Sequence, residues 1–269
     1  MITLWNTHND AYKRISYFLG DHIYYGGTTV PNFKYLIVSE GPWLKDIPKE
    51  KFSKVLGFPC LKPSFFSQIR GLGFKNIIAQ DSVQEEAWGK NEAVSIPVYI
   101  DKIYEPQKRT QLICSIVNEY EKRNYFCYQM NQRLKIPNYG TPDNYHPNII
   151  DLLSSTKFLF HPKNIGYLCN VVLQAMQTLT PVIFTEESYR HGYTDFLTRN
   201  ENCIVLRNEN HLKKVLEMDD LKYQKLQENI ALSVKKIQST YSEGKVKLKN
   251  FIQKIWPETN LKNSKIKLL

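Results

Sequence analysis

Three groups of residues in this 269-residue chain have types and spacings that can do chemistry. Glu40 closes the run Tyr35-Leu36-Ile37-Val38-Ser39-Glu40, so its carboxylate stands just past an apolar segment with the length of a buried strand. A carboxylate projecting at a strand's carboxyl end is a candidate general base for a hydroxyl nucleophile. His8, Asp10 and Asp81 compete for that task, although Asp81 fits a helix N-cap better. Lys122 and Arg123 form the second group, one a compact charge and the other a planar fork, both suited to phosphate oxygens. A solvated helix face is the plainer account of the same Glu-Lys-Arg run. The third group begins at Phe160-His161-Pro162-Lys163-Asn164, a strand end running into a helix that starts near Gly166. The amino end of such a helix offers free N–H groups and partial positive charge to an anion. Asn170 and Gln174, four residues apart on that helix, share one face and present polar side chains to a ligand's hydroxyls.

These positions need a scaffold of strands and helices, and the apolar pattern supplies one. Short apolar runs alternate with helical patterns through most of the chain, which predicts an α/β fold. In the first third, strands are expected at Tyr35–Val38 and Asn76–Ala79, with a short helix from Ser64 to Leu72 closed by Gly73. Val94–Ile100 is extended, and Pro97 suits an edge or an exit from the sheet. The polar stretch Asp101–Thr110 marks the boundary between a domain at 1–104 and a second at 105–250. In the second, strands are expected at Leu112–Val117, near Ile136, and at Phe158–Phe160, Val182–Phe184 and Cys203–Leu206, separated by helices. That alternation predicts a parallel sheet. Helices from about His211 to Trp256 close the chain, with residues 251–269 as a helix end and a basic tail.

Bulk properties narrow the partners. The net charge of +10 favours an anionic partner such as nucleic acid, a phosphorylated substrate or a membrane surface, or else is simply a lysine-rich, solvated composition. Five scattered cysteines without a CxxC pair fit buried thiols rather than disulfides or a zinc cluster. No metal ligand spacing and no Asp-x-Asp motif is present, so neither metal nor cofactor is expected. The first residues lack the pattern of a signal peptide, and no apolar run approaches the ~20 residues of a membrane span, so a soluble cytoplasmic protein is expected.

One ordered series goes further. Gly166-Tyr167-Leu168-Cys169-Asn170-Val171-Val172-Leu173-Gln174-Ala175-Met176, followed by Thr180-Pro181-Val182-Ile183, resembles the donor-site motif of GT-B glycosyltransferases, family four in particular. Tyr193-Thr194-Asp195-Phe196-Leu197 and Asn200-Glu201-Asn202-Cys203-Ile204-Val205-Leu206 continue it, so the resemblance covers about residues 112–240. It implies two Rossmann-like domains facing across a cleft, the first reduced and acceptor-binding, the second binding a nucleotide sugar, most simply a UDP-sugar. It also implies donor contacts from Lys122, Arg123, Lys163, Gly166, Asn170 and Gln174, with Tyr139 and Gly140 flanking the base. The family has two glutamates where this chain has Gly166 and Gln174. Gln174 still offers a donor and an acceptor to a ribose, whereas Gly166 offers no side chain.

Tyr35–Glu40 also resembles a strand segment of the phage DNA glucosyltransferases, in which an acidic residue follows a similar aromatic-apolar run. That resemblance implies a hydroxymethylated base in double-stranded DNA as acceptor and Glu40 as the base. A glycan, protein or lipid acceptor stays open, as does a non-catalytic nucleotide-sugar-binding module.

Overall fold

The computed structural model describes residues 1–5, 9–27, 29–38, 46–59, 66–105, 107–117, 125–140, 148–163, 169–190, 193 and 195–259. The chain divides into two units, residues 1–99 with 239–269, and residues 100–238. Each has its own sheet, and every strand pairing in both is parallel. The α/β class with parallel sheets expected from the sequence is present.

The first unit holds strands β1 (Ile2–Trp5), β2 (Ile23–Tyr25), β3 (Tyr35–Val38), β4 (Val55–Gly57), β5 (Ile77–Ala79) and β6 (Ala93–Ser95), in the order β2-β1-β3-β4-β5-β6. Both β1 and β3 are buried along their whole length, as continuous apolar runs in a parallel sheet should be. Helices α1 (Asn9–Leu19), α2 (Phe66–Gly71) and α3 (Ser82–Trp88) connect them. Asp81 caps α3 by accepting from the Gln84 amide at 2.8 Å, the role its position suggested. The core gathers Trp5, Leu36, Val38, Phe66, Ile77 and Trp88.

The second unit has strands β7 (Gln111–Ser115), β8 (Thr156–His161), β9 (Val182–Thr185) and β10 (Ile204–Leu206), in the order β10-β9-β8-β7. Its helices are α4 (Tyr125–Arg133), α5 (Ile149–Ser154), α6 (Asn170–Gln177), α7 (Glu186–Tyr189), α8 (Glu209–Leu216) and α9 (Asp220–Ser239). The strand expected near Ile136 is only a single bridge, Ser115 to Asn138, on the free side of β7.

The domain limits differ from those expected. The first unit ends at Tyr99, and the last helix, α10 (Tyr241–Ile255), returns to it instead of closing the second. The cause is an apolar face: Leu248, Phe251, Ile252 and Trp256 are all buried. Gly244 lets α10 approach closely, since a Cβ there would lie 2.6 Å from Pro97 and 2.9 Å from Phe18. Lys247 adds an ion pair to Glu85 at 3.1 Å. Residues 251–255 end this helix and, with 256–259, belong to the first unit, while the basic residues of 260–269 lie outside the described residues. Among the described residues no helix is long and apolar enough to cross a membrane.

Candidate functional site

In an open parallel sheet the natural crevice lies beyond the carboxyl ends of adjacent strands whose connections leave in opposite directions. In the second unit that point falls between β7 and β8. From β7 the chain passes through α4 to Asn138 on one side, and from β8 through α6 to β9 on the other. The strand ends there are Ile116-Val117 and His161-Pro162-Lys163.

The β7 end is tightly held. Asn138 pairs with the Val117 main chain in both directions, accepting from its amide and donating to its carbonyl, each at 2.9 Å. Gly140 lies so close to that carbonyl that a Cβ would stand 1.8 Å from the Val117 oxygen. Tyr139 leans along β7, its hydroxyl accepting from the Gln111 side chain at 2.9 Å. Gly140 thus sits at the strand end as expected, but it serves first to let two backbones meet.

Helix α6 starts at the same end of the sheet. Val171, Val172, Leu173, Ala175 and Met176 are buried, while Asn170 and Gln174 lie half-exposed on the remaining face. Among the described residues neither of these two side chains makes a hydrogen bond. The helix begins at Cys169 without a side-chain cap. Instead, the Cys169 amide donates to the Tyr193 hydroxyl at 3.1 Å, and that hydroxyl lies 3.1 Å from Nε2 of His161. His161 and Tyr193 are buried, with Phe184 packed against both rings. Burial, with Lys163 close by, pushes the His161 imidazole down to about 3. A neutral ring can accept from the hydroxyl, which in turn accepts from the amide.

The opposite end of this sheet is fastened by Arg109, whose guanidinium donates to the carbonyls of Leu153, Thr156 and Thr178 and to the Thr180 hydroxyl. Burial holds its pKa below the ordinary value.

In the first unit the corresponding point lies between β1, which continues toward β2, and β3, which continues toward β4. Arg14 of α1 locks the neighbouring strand ends, donating to Pro97 O at 2.9 Å, to Gln80 O at 2.6 Å and to Ile96 O. Glu40 follows β3 by two residues and His8 follows β1 by three, but both lie outside the described residues. So do Lys122, Arg123 and Gly166. Of the expected donor residues, the structure places Tyr139, Gly140, Lys163, Asn170 and Gln174, all on elements that reach the β7–β8 carboxyl end.

No protein-family model matches the sequence, and neither does any curated protein. Solved structures do match. HepE of Anabaena in complex with UDP-glucose is 10% identical, with a TM-score of 0.62 over 93% of this chain and 99% of that one. T4 phage BGT in complex with its UDP-glucose substrate is 11% identical, with a TM-score of 0.55 over the same shares, 93% and 99%. TarM of S. aureus is 13% identical, with a TM-score of 0.56 over 82% of this chain. The fold is that of the GT-B nucleotide-sugar glycosyltransferases. This chain spans 55% of TarM's length, against nearly all of HepE's and BGT's.

Within this GT-B fold, sequence reasoning left His161 and Tyr193 without a role. Both stood inside quoted segments, His161 beside Pro162 at a strand end and Tyr193 at the start of Tyr-Thr-Asp-Phe-Leu. A buried polar pair brought together across 32 residues has no local periodicity to reveal it.

Proposed function

We propose that this chain is a glycosyltransferase that moves a sugar from a nucleotide sugar, a UDP-sugar, to a hydroxyl acceptor. The observation that carries this reading is the coincidence at the β7–β8 carboxyl end. A sheet crevice, the amino end of α6 and the two side chains Asn170 and Gln174 occur together, in the segment that resembles the family's donor motif. In this reading Lys122, Arg123 and Lys163 neutralise the diphosphate together with the amide groups at the amino end of α6, with Gly166 in the segment before it. Asn170 and Gln174 bind ribose or sugar hydroxyls, and the main chain at Tyr139 and Gly140 borders the base. The charge on the leaving diphosphate is assigned to those cations and amides, in keeping with a sequence that lacks Asp-x-Asp. The first unit binds the acceptor, and Glu40 takes the proton from the attacking hydroxyl.

For the acceptor we favour a hydroxymethylated base in duplex DNA. The net charge of +10 supports it, as does the resemblance of Tyr35–Glu40 to the phage DNA glucosyltransferases. Such an acceptor has to be flipped from the stack to reach the base.

The test is sugar transfer from a panel of nucleotide sugars to hydroxymethylated DNA, plain DNA, glycans and lipid acceptors. Glu40→Gln should leave donor and DNA binding intact and slow transfer by about two or more orders of magnitude. Arg123→Ala should weaken UDP binding by about 1.5–3 kcal/mol, the worth of a charged hydrogen bond. Transfer to a glycan but not to modified DNA rejects the acceptor. Full activity in Glu40→Gln rejects the base, and no nucleotide-sugar binding in the parent rejects the function.

A further inference from the structure

Helix α6 is tied to the sheet by a chain of hydrogen bonds that crosses the second unit's interior. The Cys169 amide donates to Tyr193, and Tyr193 in turn faces Nε2 of His161, with both contacts at 3.1 Å. The donor and acceptor pattern allows one direction throughout: N–H to phenol oxygen, phenol O–H to imidazole nitrogen. The hydroxyl is not free to swing, because Phe184 lies 4.9 Å from the Tyr193 ring and 5.7 Å, edge to face, from the His161 ring. Cys169 in turn accepts from the Val172 amide at 3.0 Å, which tightens the first turn. Among the described residues the amides of Asn170 and Val171 are left with no acceptor.

We propose that Tyr193, held by His161, is a positioning residue for the nucleotide-sugar donor: its hydroxyl sets the height of the first turn of α6 and so places the Asn170 amide against the diphosphate of the donor and the Asn170 side chain against its ribose or sugar hydroxyls. This rests on the donor-site reading above. A capping side chain on Cys169 would hold the turn from within the helix and leave it free to move with the loop before it. A tyrosine anchored on β8 holds it from the sheet, so the turn keeps its place whether or not a ligand is bound. That preorganisation lowers the ordering cost of binding. The low pKa of His161 supports the same arrangement, since a neutral ring is needed to accept from the phenol.

The experiment measures UDP binding by calorimetry on the full chain, well below every variant's unfolding temperature. Tyr193→Phe should bind UDP about tenfold more weakly, as expected for one lost hydrogen bond that holds a ligand-binding turn. His161→Gln, whose amide oxygen still accepts from Tyr193, should stay within about threefold of the parent, and His161→Leu should fall with Tyr193→Phe. Tyr223→Phe is the control. It removes a comparable hydroxyl in the same unit, bonded to the Lys157 carbonyl at 3.0 Å near the amino end of β8, and should bind UDP like the parent. Unchanged affinity in Tyr193→Phe overturns the proposal and leaves the donor site standing, and so does an equal loss in Tyr223→Phe. A parent chain that binds no UDP overturns both.

Discussion

Replacing His161 by glutamine should change how the protein responds to acid, and the size of the change follows from its burial. His161 is 1% exposed, and its imidazole is held down at about 3, against 6.5 for an ordinary histidine. The unfolded chain therefore takes up a proton below pH 6.5 that the folded chain refuses until near pH 3. Stability contributed by the neutral ring is complete above pH 6.5 and is lost progressively as pH falls below it. Each pKa unit corresponds to about 1.4 kcal/mol, so the full difference is about 5 kcal/mol, of which about 2 kcal/mol has gone by pH 5. His161→Gln cannot titrate and retains an acceptor for Tyr193. Urea unfolding of parent and variant at pH 7.5, 6 and 5 isolates the effect, because every other titrating group cancels in the difference. The variant is expected to be the less stable at pH 7.5 and to recover about 2 kcal/mol relative to the parent by pH 5. Parallel pH curves would refute the reasoning, since they would mean that His161 is protonated as easily in the folded chain as in the unfolded one.

Other perturbations test the scaffold around the site. Gly140→Ala must push a methyl group into the Val117 carbonyl, 1.8 Å away, so it should cost about 1–3 kcal/mol in a thermal melt and weaken UDP binding through the displaced strand end. Unchanged stability would show that the two backbones are not in contact. Arg109→Lys keeps the charge but loses the fork that serves Leu153, Thr156 and Thr178, and should destabilise the second unit by about 2–4 kcal/mol in urea. A loss as small as that of a surface lysine swap would contradict the buried role. Gly244→Val meets Pro97 and Phe18 and should loosen α10 from the first unit, seen as faster hydrogen exchange in α1 and α10; unchanged protection there would dismiss the close approach.

The fold was legible wherever one strand or helix announced itself in a continuous stretch. Tyr35–Val38 and Ile77–Ala79 are buried parallel strands, and their unbroken apolar runs say so directly. Asp81 was readable as a cap because capping is a contact across three residues. The elements that escaped are short or depend on distant partners. Ile2–Trp5 and Val55–Gly57 are too brief for periodicity to separate them from a loop, although they lie in the middle of the first sheet. The return of α10 was hidden for another reason. Its apolar face is plain in the sequence, but nothing local says which of two cores receives it. The close packing of Gly244 on Pro97 and Phe18 belongs to the fold alone.

The candidate site divides along the same line. A motif read from consecutive residues located α6 and its two polar positions, because Asn170 and Gln174 share a face by helical geometry alone. What holds that helix in place was invisible, since His161 and Tyr193 meet only after β8, α6 and β9 have assembled. Arg109 shows the same effect in reverse: it stands in the polar stretch expected as a boundary, yet it fastens the end of α5 at Leu153, the start of β8 at Thr156 and the turn after α6 at Thr178 and Thr180. Polar residues near an expected boundary or motif therefore carry a meaning that composition cannot assign, because the cost of burying them is met by carbonyls and rings far away in sequence. The residues proposed to contact the donor stand out through local spacing, whereas those proposed to fix their height above the sheet do not. That is why the pH response of His161 and the nucleotide affinity of Tyr193→Phe test something the donor motif alone never implied.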